Sequence, residues 1–260
     1  MPLPGLSGFL GVSQKIPLIH LLNLSFIQVS IRGGYGNDFL RDANGEKTKA
    51  AERIKRALCH AQARYCHSAS LGTKIQLSLM PGVRHYNTKF TATMDKLKSL
   101  QGGTEGELDG ADLMACFGGK DNGDRTLGIA FIGSACWTWR NDSKVSITEW
   151  SDTDAHLGRN LAHELGHNLG MYHDFDERHG GNGKPGSGGS CDGRGTMSYG
   201  KEAPPRWSDC SRKDFRAHYN MVLNVGLKWC LPAADSNMGC GGNCGSDAGS
   251  GGKPSQKLCP

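Results

Sequence analysis

The sequence predicts an α/β fold, and three observations predict it. Runs at 24–31 and 75–80 alternate apolar and polar residues with the two-residue period of a strand, while 47–66, 155–169 and 211–224 carry apolar residues at helical spacing. Strands and helices occupy the first part of the chain; a long helix and then irregular sequence follow.

The elements follow in order. Leu24-Ser25-Phe26-Ile27-Gln28-Val29-Ser30-Ile31 alternates and is expected to be a first strand. In 47–66, Ala51, Ile54, Ala57, Leu58 and Ala61 give one apolar helix face. Ile75 to Met80 alternates and stops at Pro81-Gly82, a strand with a turn behind it. Lys89 to Leu100 is expected to be a second helix, and 111–117 and 127–133 further strands. Between 155 and 169, Leu157, Leu161, Leu165 and Leu169 form an apolar stripe, with Asp152 or Asp154 as candidate N-cap and Gly170 as the left-handed residue that ends the helix. Residues 180–195 are rich in glycine and lack periodicity. Ser211-Arg212-Lys213-Asp214 is a capping-box variant opening a last helix, 211–224, with Phe215, Tyr219, Val222 and Leu223 inward. From Pro232 onward glycine, serine and cysteine dominate. The expected organisation is an unassigned segment 1–30 holding a first strand or an unprocessed leader, a main domain 31–231, and a Gly/Cys-rich tail 232–260 that is a linker or truncated accessory module.

The chemistry concentrates in His163-Glu164-Leu165-Gly166-His167-Asn168-Leu169-Gly170-Met171-Tyr172-His173, an unbroken H-E-x-x-H-x-x-G-x-x-H. His163 and His167 stand four apart and share one helix face, so both imidazoles reach one metal ion. After the turn at Gly170, His173 supplies a third ligand. Three neutral imidazoles leave one tetrahedral position open, the pattern of catalytic zinc. Glu164 projects beside the ligands and is the candidate general base for a zinc-activated water. A bare H-E-x-x-H arises by chance in helices; the glycine and third histidine at fixed offsets make ordinary core or surface histidines a poor explanation.

These residues resemble the metzincin clan of zinc peptidases. Asp174, directly after the third histidine, is similar to the adamalysin (reprolysin) branch of ADAM, ADAMTS and snake-venom-type enzymes. Met197 in Gly195-Thr196-Met197-Ser198-Tyr199 resembles the Met-turn beneath the zinc, and Trp207 to Phe215 resembles the segment leading into the last helix. Thr126 to Gly133 is similar to the edge strand that pairs with substrate, which implies that role for Gly128, Ile129, Ala130 and Phe131. Gly110 to Met114 resembles the strand segment before it. The resemblance implies a metzincin-type catalytic domain: a mixed, twisted sheet with helices above a small irregular C-terminal subdomain, and an active-site cleft between them. The sequence departs from the family at Gly195, where adamalysins often have cysteine. Met-Ser-Tyr is closer to serralysin or astacin Met-turns, which makes Tyr199 a candidate for stabilising the tetrahedral oxyanion, beside the plainer reading of a packed or solvent-facing tyrosine. Asp112 is the single candidate for the calcium site of some adamalysins, against an ordinary solvated or capping role.

Ten cysteines at irregular spacing in 260 residues indicate disulfides and an oxidising compartment, hence secretion. The resemblance implies Cys136–Cys230 and Cys191–Cys210; Cys59, Cys66 and Cys116 could include another bridge, and Cys240, Cys244 and Cys259 lie in the tail. Thirty-eight glycines account for the modest hydrophobic content of 37%. A net charge of +5 without a dense Lys/Arg block does not support nucleic-acid binding. Ile16 to Ile31 is too short and polar to span a membrane, and the first residues make a poor signal peptide.

The expectation is a secreted, monomeric zinc endopeptidase acting on extracellular-matrix or cell-surface proteins, the substrate class being implied by the resemblance. Its cofactor is one zinc ion, with calcium as an additional candidate. The rivals are an adhesion or toxin module on a peptidase scaffold, and an astacin- or serralysin-like endopeptidase. The scaffold reading is weakened because such proteins often lose the glutamate or a ligand, and this chain keeps all of them.

Overall fold

A computed structural model describes residues 26–66, 71–101, 107–120, 126–136, 143–185, 189–191, 195–199 and 207–224. Among the described residues six strands form one mixed sheet: β1 Phe26–Tyr35, β2 Lys74–Leu79, β3 Arg84–His85, β4 Leu113–Gly118, β5 Gly128–Ala130 and β6 Val145–Glu149. The order is β2-β1-β4-β6-β5, with β3 pairing the end of β1. The pairs β1–β2, β1–β4 and β4–β6 are parallel, and β5 runs antiparallel at the edge, with Ile129 opposite Ile147. The helices are α1 Asn37–Asp42, α2 Lys47–Tyr65, α3 Met94–Ser99, α4 Asp154–Asn168 and α5 Asp209–Asn224.

Side-chain alternation divides the core between the two faces of the sheet. Leu113, Ala115 and Phe117 of β4 pack with Ile27, Val29 and Ile31 of β1 and with the apolar stripes of α2 and α4. Met114 and Cys116 point the other way and pack with Phe90, Leu97, Val145 and Ile147. A parallel strand covered on both faces needs apolar residues at every position, and β4 is buried throughout. The helices α2 and α4 meet closely at Gly158, where an added Cβ would stand 2.5 Å from the Ala57 carbonyl oxygen. Leu157, Leu161, Leu165 and Leu169 are fully buried, so α4 turns its leucine stripe to the core and its histidine face elsewhere.

Several expectations are corrected. The strand expected over 24–31 continues to Tyr35. The helix expected over 89–100 is reduced to Met94–Ser99; Thr93 caps it by accepting from the Lys96 N–H, and residues 89–93 form no helix or strand. The N-cap of α4 is Thr153, whose hydroxyl accepts from the His156 N–H at 3.2 Å, rather than Asp152 or Asp154. Asp154 instead pairs with Arg53 and Arg56 of α2. The last helix starts before 211: the Ser208 hydroxyl accepts from the Ser211 N–H, so Ser211 lies inside the helix. The strand β5 ends at Ala130, which leaves Phe131 just beyond it. The strand β6 and the short helix α1 were not anticipated.

Among the described residues no helix is long and apolar enough to cross a membrane. Cys191 and Cys210 are joined by a disulfide, whereas Cys116 is a buried free thiol and takes no part in a bridge. Cys59, Cys66 and Cys136 are disulfide-bonded. Cys230, the expected partner of Cys136, lies outside the described residues, as do Cys240, Cys244, Cys259 and the tail from 232.

Candidate metal centre

The site is built where α4 ends. Leu169 is the C-cap, Gly170 takes a φ of +93°, and two hydrogen bonds close the turn: Gly170 N–H to the His167 carbonyl at 2.8 Å and Met171 N–H to the Gly166 carbonyl at 2.9 Å. This is a Schellman ending, which glycine accommodates because it has no Cβ. The chain reverses and brings His173 back against the helix. The Nε2 atom of His173 lies 3.0 Å from Nε2 of His163 and 3.1 Å from Nε2 of His167. Ligand nitrogens about 2.0–2.1 Å from a tetrahedral zinc ion stand roughly 3.3 Å apart, so the observed spacing fits that ion closely.

The other ring nitrogens fix which atom faces the centre. Nδ1 of His163 donates to the Thr196 carbonyl at 2.8 Å, and Nδ1 of His167 donates to the Met171 carbonyl at 2.8 Å. With Nδ1 carrying the proton, the Nε2 lone pairs point at the shared position, the tautomer a metal requires. Burial, and then the neighbouring rings, hold His163 well below the ordinary histidine value. Burial and then His173 lower His167 to about 3, and burial lowers His173. The rings are therefore neutral at physiological pH and available as ligands.

Glu164 is buried one residue after His163. Among the described residues its Oε2 has no hydrogen-bonding partner, and burial pushes its carboxyl well above the usual carboxylate range. An unpaired buried carboxylate is costly, and a cation beside it would favour the ionised form. Three neutral imidazoles and one orphaned acid together fit a divalent, nitrogen-seeking ion. Glu164 also lies against the sheet edge, where an added Cβ on Gly128 would stand 2.5 Å from its Oε1.

The remaining expected residues fall as follows. Met197 is fully buried beneath the helix, and an added Cβ on Gly166 would stand 2.8 Å from its Sδ. The Tyr199 hydroxyl lies 3.4 Å from His173 Nε2, and the side chain is 59% exposed, so it borders the site from solvent. Asp174 is buried, accepts from the Ser208 hydroxyl, and donates its N–H to the Met197 carbonyl at 3.1 Å. It thus fastens the metal loop to the Met-turn and to the start of α5. Gly128, Ile129 and Ala130 form the edge strand β5, half-buried and next to Glu164. Asp112 is a structural residue: its Oδ2 accepts from the Ser30 N–H at 2.7 Å and the Ser30 hydroxyl at 2.6 Å. Among the described residues it joins no cluster of metal-ligating side chains, so the calcium candidate is not supported.

Asn168 was not singled out, because it fills a wildcard position of the motif. It is fully buried, and its amide nitrogen donates to the Phe131 carbonyl at 3.1 Å and the Ser134 hydroxyl at 2.9 Å, tying the end of α4 to the segment after β5. A polar residue on the buried side of an apolar stripe is the signal that could have found it.

The three histidines form a candidate metal-binding group on an α/β fold, and part of the chain resembles known metallopeptidases. Residues 51–174 match the model of the Metallo-peptidase family M12B Reprolysin-like. Over that span the chain is similar to this reprolysin-like family. It is 38% identical over 116 residues to the Homo sapiens protein "A disintegrin and metalloproteinase with thrombospondin motifs 13", and 33% identical over 117 residues to the Mus musculus protein of that name. Each match covers 43% of this chain and 7% of the relative. A Naja atra protein, "Zinc metalloproteinase-disintegrin-like kaouthiagin-like", is 38% identical over 66 residues, 25% of this chain and 10% of that protein. The chain therefore matches only a small part of these relatives. One solved structure, "Structure of a chaperone-substrate complex", overlaps 58% of this chain and 25% of its own at a TM-score of 0.44 and 16% identity, a likeness that bears on neither fold nor function.

Proposed function

We propose that this chain is a secreted zinc endopeptidase that cuts extended segments of extracellular or cell-surface proteins. One observation carries the reading: three Nε2 atoms converge at 3.0 and 3.1 Å near a buried carboxylate whose Oε2 has no partner among the described residues. His163, His167 and His173 would hold the ion. Zinc held in such a site supplies a Lewis acid and a water of lowered pKa.

The chain's own residues do the rest. Glu164 takes a proton from the attacking water and returns it to the leaving amine, and its burial tunes it for both transfers. Among the described residues β5 pairs with β6 alone, which leaves its outer edge for an extended peptide to add as a further strand. Leu127 and Ile132 flank this strand, 55% and 44% exposed, and give it apolar contacts for substrate side chains. The peptide would lie in a cleft between the sheet-bearing part and a smaller C-terminal part. Tyr199, at the rim beside His173, is suited to hydrogen-bond the tetrahedral oxyanion. The Cys191–Cys210 disulfide favours an oxidising, extracellular setting, and the protein would act as a monomer.

The test is cleavage of a quenched fluorogenic peptide library by the full chain, with and without chelator. Chelation should abolish cleavage and added zinc restore it. Glu164→Gln should lower kcat by about 10²–10⁴-fold with one zinc still bound. Equal turnover in parent and variant would remove Glu164 from its role. A parent that binds zinc and cuts nothing would favour a binding module on this scaffold.

A further inference from the structure

We propose that His179 is a positioning residue for the third metal ligand, acting with Asp214 as a clamp on the main chain around His173. The inference rests on the peptidase reading and deepens it. Two ligands, His163 and His167, sit on the rigid α4; His173 sits on irregular chain after the turn. Something other than helix geometry must hold it.

The hydrogen bonds form a closed ring. Nδ1 of His179 lies 2.9 Å from the His173 carbonyl oxygen, and its Nε2 lies 3.1 Å from Asp214 Oδ1. Asp214 Oδ2 accepts from the Tyr172 N–H at 3.0 Å. The Tyr172 N–H and the carbonyl of His173 itself are thus both held, one by each member of the pair. The two side chains are 9% and 14% exposed, so their hydrogen bonds are little screened by water. His173 is also held on its ring face, where Phe175 stacks at 4.7 Å and 20°.

Both halves of the clamp are anchored. The His179 carbonyl accepts from the Ser190 N–H at 2.8 Å, and Ser190 precedes Cys191. Cys191 is bonded to Cys210 in the first turn of α5, one turn before Asp214. The disulfide therefore ties the His179 segment to the helix that carries its partner. None of these atoms reaches the convergence point through a ring nitrogen of its own, so the role is positional. A ligand fixed before the ion arrives loses less conformational freedom on binding, which raises affinity.

The test measures zinc affinity of the full chain by competition with a chromophoric chelator, and the absorption spectrum of the cobalt(II) form, in parent, His179→Ala and His179→Asn. The thermal midpoint of each zinc-free protein is measured alongside. Asparagine can place an N–H near the Nδ1 position. H179A should bind zinc about 10–100-fold more weakly, with an altered cobalt spectrum. H179N should lie closer to the parent than to H179A in both readouts. Unchanged affinity in H179A would overturn the clamp, as would an equal loss in H179A and H179N that tracks their thermal midpoints. Failure of the parent itself to bind stoichiometric zinc would sink the peptidase reading, a result distinct from either.

Discussion

Gly128 on the edge strand lies directly over Glu164: an added Cβ would stand 2.5 Å from Oε1 and 2.7 Å from Cδ of the carboxylate. The strand proposed to receive substrate and the proposed base are thus in contact through a position that has room for a hydrogen atom only. Gly128→Ala must move one of them. Displacement of a reacting group by about 1 Å can cost about 10²-fold, so kcat/KM should fall roughly 10–100-fold. Zinc content should stay at one per chain, because the atoms nearest an added Cβ on Gly128 belong to Glu164 and not to a histidine. Steady-state kinetics with metal analysis checks this; full activity in G128A would mean the contact is not kept during turnover.

The pH response has two limbs. His167 is lowered from 6.5 to about 3 by burial and by His173. The unfolded chain then binds more protons than the folded one at pH between these values. The associated stability is present above about 6.5 and is lost as pH falls towards about 3. Protonation also competes with metal binding, so zinc release should accompany this loss. Glu164 acts in the opposite sense, because burial raises it in the folded state. Its contribution is present below the unfolded carboxylate value and is lost as pH rises through the folded one. The metal-free protein should therefore soften on both sides, and E164Q should relieve the alkaline side alone. Thermal midpoints across pH, with and without chelator, give the comparison; a pH-independent metal-free midpoint would contradict it.

Gly158 sets the distance between α2 and α4. An added Cβ would stand 2.5 Å from the Ala57 carbonyl oxygen and 2.5 Å from His60 Cβ. Alanine is favoured over glycine in a helix by about 1 kcal/mol, but overpacking costs about 1–3 kcal/mol. The crowding includes main-chain atoms, which cannot swing aside, so the clash should win. Gly158→Ala is expected to lower the chemical-denaturation midpoint, and a raised midpoint would show that the two helices separate freely.

The Cys191–Cys210 bridge closes a segment with a sequence separation of 19. Loop-closure entropy for that length gives a stabilisation of about 3 kcal/mol. The double variant C191S/C210S should lose stability of that order, measured by reversible denaturation, and should release zinc more readily because the His179 segment is no longer tied to α5. If the double variant matched the parent in both respects, the bridge would be without structural consequence.

The spacing in 163–173 by itself determined which residues form the centre. A period of 3.6 puts His163 and His167 on one face and the leucines on another, and glycine at 170 dictates where the helix must end. These are local properties, fixed by backbone geometry over a few residues. The helices and the first two strands were legible for the same reason, since their periodicity repeats over several turns or pleats. The helix expected at 89–100 was overestimated because Phe90 packs into the core and the Ala92 N–H donates to the Glu149 carboxylate, and a propensity window does not see those contacts. The caps Thr153 and Ser208 were misjudged because several polar neighbours compete for each site and only the final hydrogen bond chooses.

Tertiary structure alone decided what surrounds the three histidines. The carbonyls of Thr196 and Met171 that orient two imidazoles, the contact of Gly128 with Glu164, and the pairing of His179 with Asp214 join residues up to 36 positions apart. Such contacts arise when the edge strand, the glycine-rich loop and the last helix pack around the end of α4. Chain sequence encodes them only through the sum of that packing, in which no short spacing rule survives.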